Sequence, residues 1–185
     1  MHPEQENTEQ PENEYVLGPN DPEPVVIAPF HFIILNIATG GLYSSWWIYK
    51  CWEYFRAAKS EDIWPVPRTF FFPLFSFDFF TKIETYCKEY GHRVQYNSPL
   101  LTVLVFASNI IAYQRGPYLL AGTIIQVVTL LLAVRELNFY FTGNKNGYKD
   151  DKLNQRQILL LLGGAFFWTL IIVELVANHG SLPNT

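Results

Sequence analysis

The chain alternates long uncharged runs with short polar, charged ones. Residues 25–49, VVIAPFHFIILNIATGGLYSSWWIY, carry no charge, and Val94–Gln114 and Gly116–Val134 stay uncharged for 21 and 19 residues. A last run, QILLLLGGAFFWTLIIV, covers Gln157–Val173 and is extended through Glu174 to Ala177. A helix that crosses a bilayer needs about 20 predominantly apolar residues, so the pattern predicts four spans. Only Arg115 and the Gly116–Pro117 turn separate the second and third runs. That gap predicts an antiparallel helical hairpin. The third helix continues as RELNFYF through residue 141, and a polar loop over 142–154 leads to the fourth. Thr39–Gly41, TGG, marks a site for close packing or a kink inside the first run.

Between the first and second runs lie two polar helical segments, Lys50–Asp62 and Thr81–Asn97, with Gly91 as the stop of the second. They flank PRTFFFPLFSFDFF, Pro67–Phe80, which contains seven phenylalanines, one arginine and one aspartate. Thirteen residues from Arg68 to Phe80 are too few to span. The phenylalanines fall nearly all round a helix, unlike an interfacial helix with one wet face. The segment is therefore expected to be a short re-entrant or deeply seated helix bent at Pro73. The predicted fold class is all-α, a polytopic membrane bundle of four spans plus this aromatic helix. Residues 1–24 are acidic and aperiodic and are expected to form a disordered tail. Residues 25–178 form the single transmembrane domain, and 179–185 a short polar tail.

Charge sets the expected orientation. Segment 50–98 holds seven Lys and Arg and segment 135–156 holds five, whereas Arg115 is the one remaining basic residue of 13. With four spans, twelve basic residues share one side, as the positive-inside rule requires of cytoplasmic loops. A fifth span through the aromatic stretch would divide them about evenly. The four-span reading puts both termini outside, which for a bacterial inner membrane means the periplasm. The amino terminus lacks the basic region of a signal peptide.

Composition agrees: 49% of residues are hydrophobic, 17% aromatic and only 16% charged, against about 25% charged in soluble domains. Cys51 and Cys87 follow no metal or redox spacing. No G-x-S-x-G, H-E-x-x-H or phosphate-binding glycine loop occurs, so no catalytic residue, metal or cofactor is expected. The basic loops are interrupted by acids and flank spans, which fits anionic lipid better than nucleic acid.

Polar groups in the apolar zone are functional candidates because burial costs them several kcal/mol. Arg68 and Asp78 flank the aromatic stretch and are able to form a substrate or ion site. The alternative is structural, with Arg68 snorkelling to headgroup phosphates and Asp78 capping or pairing. Arg135, Glu136 and Asn138 cluster where the third span meets the cytoplasm, and Glu136 is a candidate clamp to basic residues of 50–93. Asn109 and Gln126 lie inside adjacent spans and are placed to bond across the hairpin. Trp46, Trp47, Tyr49, Lys50 and Trp52 have the character of interface anchors at the headgroup level.

The segment GLYSSWWIYKCWEYF followed by PVPRTFFFPLFSFDFF resembles a family of small bacterial inner-membrane proteins, a domain of unknown function. Its pattern is L-Y-x-x-x-[WY]-x-Y-K-x-W and then a proline–arginine–phenylalanine segment. Leu42, Tyr43, Trp47, Tyr49, Lys50, Trp52, Arg68 and Phe72 match it, as do Arg135 and Asn138. TGG at 39–41 departs from it, since a bulky aromatic often precedes the last glycine there. The resemblance covers about 28–178 and implies no established activity. The expected function is a non-enzymatic membrane component that binds a partner protein or lipid through 50–93. The alternatives are a small transporter or channel subunit using Arg68 and Asp78, and a lipid-modifying membrane enzyme. Expected partners are the bilayer and a membrane protein or a second copy of the chain.

Overall fold

The computed structural model describes residues 24–59, 62–89, 91–114, 117–146 and 152–179, so the acidic tail lies outside the described residues. These residues are all helical or connecting. Helices run over α1 (Pro29–Ala38), α2 (Leu42–Lys59), α3 (Pro65–Phe70), α4 (Phe72–Glu89), α5 (Ser98–Tyr113), α6 (Pro117–Thr142) and α7 (Gln155–His179). Two are long and apolar enough to cross a membrane, over Leu120–Thr142 and Gln155–Glu174.

The first apolar run is not one helix. Gly40 and Gly41 take φ values of 59° and 91°, a region open to glycine at no steric cost. The chain reverses there. Gly41 donates its backbone N–H to Asn36 O at 2.8 Å. Asn36 Oδ1 accepts from Ser44 N at 2.9 Å and from Ser44 Oγ at 2.6 Å, while its Nδ2 donates to Phe32 O at 2.8 Å. The Asn36 side chain thus ties the end of α1 to the start of α2, so the turn's polar groups are bonded within the hairpin. Phe32 consequently packs on Trp47 with ring centroids 5.6 Å apart. In one straight helix those residues would be separated by about 22 Å.

The open ends of this α1–α2 hairpin lie at the carboxyl end of α6. Ile27 bonds to Asn138 and the Tyr54 ring meets Phe141 at 4.9 Å. The tip lies far along α6, where a Cβ on Gly41 would be 3.5 Å from Thr123. The expected continuous segment over 25–49 is therefore two antiparallel helices. α1 itself, at 10 residues, is about 15 Å long.

The aromatic stretch is also two helices. Phe71 separates them, and Pro73 lies at the start of α4 instead of bending a continuous helix. α4 ends at Gly91, φ 72°, where His92 N–H bonds back to Cys87 O at 2.9 Å. α5 starts on Asn97, whose side chain accepts from Leu100 N at 3.0 Å, a standard helix cap. α5 and α6 form the predicted hairpin. Gly122 makes it tight, since a Cβ there would come within 2.5 Å of Ser108 O.

The core is aromatic and lies between α2, α4 and the last turns of α6. Phe79 is its hub, with ring centroids 5.9 Å from Trp47, 5.5 Å from Trp52, 5.9 Å from Phe55, 5.4 Å from Phe72 and 5.6 Å from Phe80. Phe55 stacks on Tyr86 at 5.3 Å. In contrast, among the described residues α7 packs chiefly on α1, with Gln157 reaching Tyr43 of α2 at 3.3 Å. Gly164 is its only buried residue among those described. A Cβ on Gly164 would be 2.3 Å from Ala38 O, and Trp168 Nε1 donates to Ile37 O at 2.9 Å.

Candidate functional site

Two polar clusters stand out on this frame. The first is on the aromatic stretch. α3 folds back along α2, so Arg68 reaches across to Asp78 on α4 and forms an ion pair with it. The guanidinium lies 4.7 Å from the Trp52 ring and 5.2 Å from that of Phe75. Ring faces attract a cation, more strongly where water is excluded. Around this pair, Trp64, Val66, Phe70, Phe71, Leu74 and Phe77 are exposed.

The second cluster is at the carboxyl end of α6. Glu136 is buried, and its two carboxylate oxygens have separate partners: His92 Nε2 at 2.7 Å and Lys145 Nζ at 2.8 Å. Removing one partner of a buried charge is costly, about 3–5 kcal/mol in other proteins. Cys87 donates its thiol to Glu136 O at 3.6 Å. Burial, then the nearby Glu136 charge, pushes that thiol up to about 12, so it stays protonated and unreactive at neutral pH.

Two residues further, Asn138 Oδ1 accepts from Ile27 N at 3.2 Å while its Nδ2 donates to Ile27 O at 2.8 Å and to Lys145 O at 3.3 Å. One amide thus fastens the segment before α1 and the loop after α6 to the same turn. A pocket of about 100 Å³ opens beside it, lined by Gln95, Tyr96, Leu132, Arg135, Glu136 and Lys145.

Arg68 and Asp78 therefore meet, and Glu136 and Asn138 share one cluster with Arg135 at its rim. Glu136 does form a clamp: His92 lies within the expected 50–93 segment, and Lys145 of the loop after α6 is a second partner. Asn109 joins neither cluster: it is exposed and donates to Val105 O of its own helix at 2.8 Å, not across to Gln126. Of the expected anchors, Trp47 and Trp52 are fully buried core residues, whereas Trp46 is half exposed. Lys50 and Tyr49 both bond to Glu53, at 2.6 Å each. A headgroup anchor presents its ring to the membrane surface. Burial at 43, 44, 47, 48, 51, 52, 54 and 55 instead follows the three-to-four spacing of a core-facing helix.

His92, Lys145, Gln95 and Tyr96 were not evident from the sequence. His92 follows the helix-stopping Gly91, and Lys145 follows a second left-handed glycine, Gly143, φ 66°. Those turns, which fix the direction of the chain beyond α4 and α6, are the signal that points to both. Compared with models of protein families, with curated proteins and with solved structures, the chain matches none.

Proposed function

We propose that the chain is an integral membrane protein in which α6 and α7 cross the bilayer, α5 crosses as the hairpin partner of α6, its 16 residues completed by the uncharged flank 94–97, and two helical hairpins, α1–α2 and α3–α4, enter from the cytoplasmic side. The observation that carries this reading is α7: only 6% of its apolar window is buried, and it is apolar all round. Such a helix needs lipid or a membrane partner around it. Exposed Leu100, Val103, Phe106 and Ile110 on α5, with Ile124, Val128 and Leu132 on α6, extend that apolar surface.

Three crossings and two re-entrant hairpins replace the four crossings expected from the apolar runs. The change leaves the charge argument intact, since residues 1–49 contain no Lys or Arg. Twelve basic residues still share one side. It moves the segment before α1 to the cytoplasmic side and leaves α7 ending on the other, in a bacterial inner membrane. The broken backbone at 39–41 is compatible with that depth because the N–H groups of Thr39, Gly40 and Gly41 bond to the carbonyls of Leu35, Ile37 and Asn36.

The proposed role is that of a non-enzymatic membrane component, related to the family resembled above. It binds lipid or a partner through the cytoplasmic ends of α4 and α6 and the aromatic hairpin. The polar groups support this over a transport path: Arg68 and Asp78 satisfy each other, and Asn109 is remote from both clusters.

Single cysteines at Pro24, Asn144 and Gln114, alkylated from either side of sealed membranes, test the topology. Cys51 and Cys87 are fully buried and should give little background. Pro24→Cys and Asn144→Cys should label from the same side, and Gln114→Cys from the opposite one. Labelling of Pro24→Cys together with Gln114→Cys would restore the four-span arrangement.

A further inference from the structure

The pocket beside Glu136 has features that membership of a membrane alone does not require. Its charge is unbalanced: Arg135 and Lys145 bring two permanent cations, and Glu136 one anion. Lys145 is committed to Glu136. Arg135 lines the pocket one residue away and has no hydrogen-bond or ion-pair partner among the described residues. Gln95 and Tyr96 add polar groups from the α4–α5 connection.

The pocket also sits at a boundary. Above it on α6, residues 116–134 are uncharged. Ile124, Val128 and Leu132, four residues apart, form an exposed apolar stripe that ends at the pocket wall. Residues four apart lie on one helix face. An apolar track therefore leads to a recessed, net-positive cup with a free guanidinium. Arg binds phosphate oxygens through paired N–H donors, and clustered basic residues at a membrane surface attract anionic headgroups.

Resting on the membrane reading above, we propose that this pocket holds the phosphate of an anionic lipid headgroup. One acyl chain lies along Ile124, Val128 and Leu132. Arg135 supplies the direct charge-assisted contact. Glu136 is a positioning residue that, itself fixed by His92, holds Lys145 at the wall and does not itself touch the phosphate. The chemistry of the site is that of a phosphate monoanion, and the apolar stripe is what favours a lipid over the free ion.

The test uses the full chain, delipidated in detergent and then returned to phosphatidylcholine bilayers with or without phosphatidylglycerol. Thermal stability and lipid retention by native mass spectrometry are the readouts. Phosphatidylglycerol should be retained and should stabilise the parent. Arg135→Gln should weaken that binding about tenfold, the size of one charge-assisted hydrogen bond. Arg135→Lys should keep part of it, and Arg56→Gln, an exposed basic residue elsewhere on the same side, should keep nearly all.

Equal losses in Arg135→Gln and Arg56→Gln would overturn the proposal in favour of diffuse surface attraction. Stabilisation by inorganic phosphate alone, with no further gain from phosphatidylglycerol, would overturn the lipid assignment. Recovery of the parent in the soluble fraction, without any incorporation, would instead refute the membrane reading beneath it.

Discussion

Replacing Phe79 with alanine should cost far more than replacing its neighbour Phe77, two residues away in the same run. Phe79 is fully buried and meets five rings, among them Trp47 and Trp52. Removing a buried phenylalanine ring costs about 3–5 kcal/mol, as transfer energy plus the cavity left behind. Phe79→Leu keeps most of the volume but loses the edge-to-face contacts, so about 1–2 kcal/mol is expected. Phe77 is half exposed on the outer face of α4. There its truncation changes contact with lipid or detergent only, within about 0.5 kcal/mol. Denaturation in mild detergent, followed by tryptophan fluorescence, measures all three. Two of the five tryptophans are in direct ring contact with Phe79, so the probe reports on the cluster itself. Equal midpoints for Phe79→Ala and Phe77→Ala would refute the assignment of Phe79 as the hub.

Two further predictions concern other seams of the fold. Hydrogen bonding to Lys88, then to Ser98, holds the Glu84 carboxyl below its ordinary value of 4.5. A carboxyl depressed in the folded state adds stability above its unfolded value, and that stability is lost as pH falls through the folded one. The parent should therefore lose stability on acidification below about 4.5 more steeply than Glu84→Gln, as pH-dependent unfolding midpoints would record. Parallel curves would remove Glu84 from the account. At the α1–α7 seam, Gly164→Val should destabilise by about 1–3 kcal/mol through overpacking, because the new side chain meets the Ala38 backbone. Gly163→Ala, where a Cβ meets nothing within 4 Å, should be close to neutral in the same thermal scan.

The apolar runs made the helices legible, but not what the first of them does. A run of 25 uncharged residues has the length of a span, and nothing in its charge distinguishes crossing from turning back. The distinction lies in Gly40, Gly41 and Asn36: two left-handed residues in succession and one amide that supplies the turn with partners. The aromatic stretch was ambiguous for a similar reason. Read as one helix, its phenylalanines cover every face. Divided at Phe71, those at 72, 79 and 80 face inward, while Phe70 at the end of α3 and Phe71 at the turn face outward. The Arg68–Asp78 pair could be anticipated because its members are close in sequence. For Glu136 only the segment 50–93 could be anticipated, not His92 within it, 44 residues away, nor Lys145 across the reversal at Gly143.

The bond from Asn138 to Ile27 spans 111 positions and that from Trp168 to Ile37 spans 131. The α1–α2 hairpin is thus held by segments made more than 100 positions later. Until α6 and α7 have emerged, the α1–α2 hairpin has neither its strap nor its wall. Contacts so distant in sequence form late, and exposed apolar segments awaiting them are prone to misassembly. The amino-terminal hairpin should therefore be the last element to settle. A chain truncated before Gln155 should leave it accessible to protease even while α5 and α6 are in place.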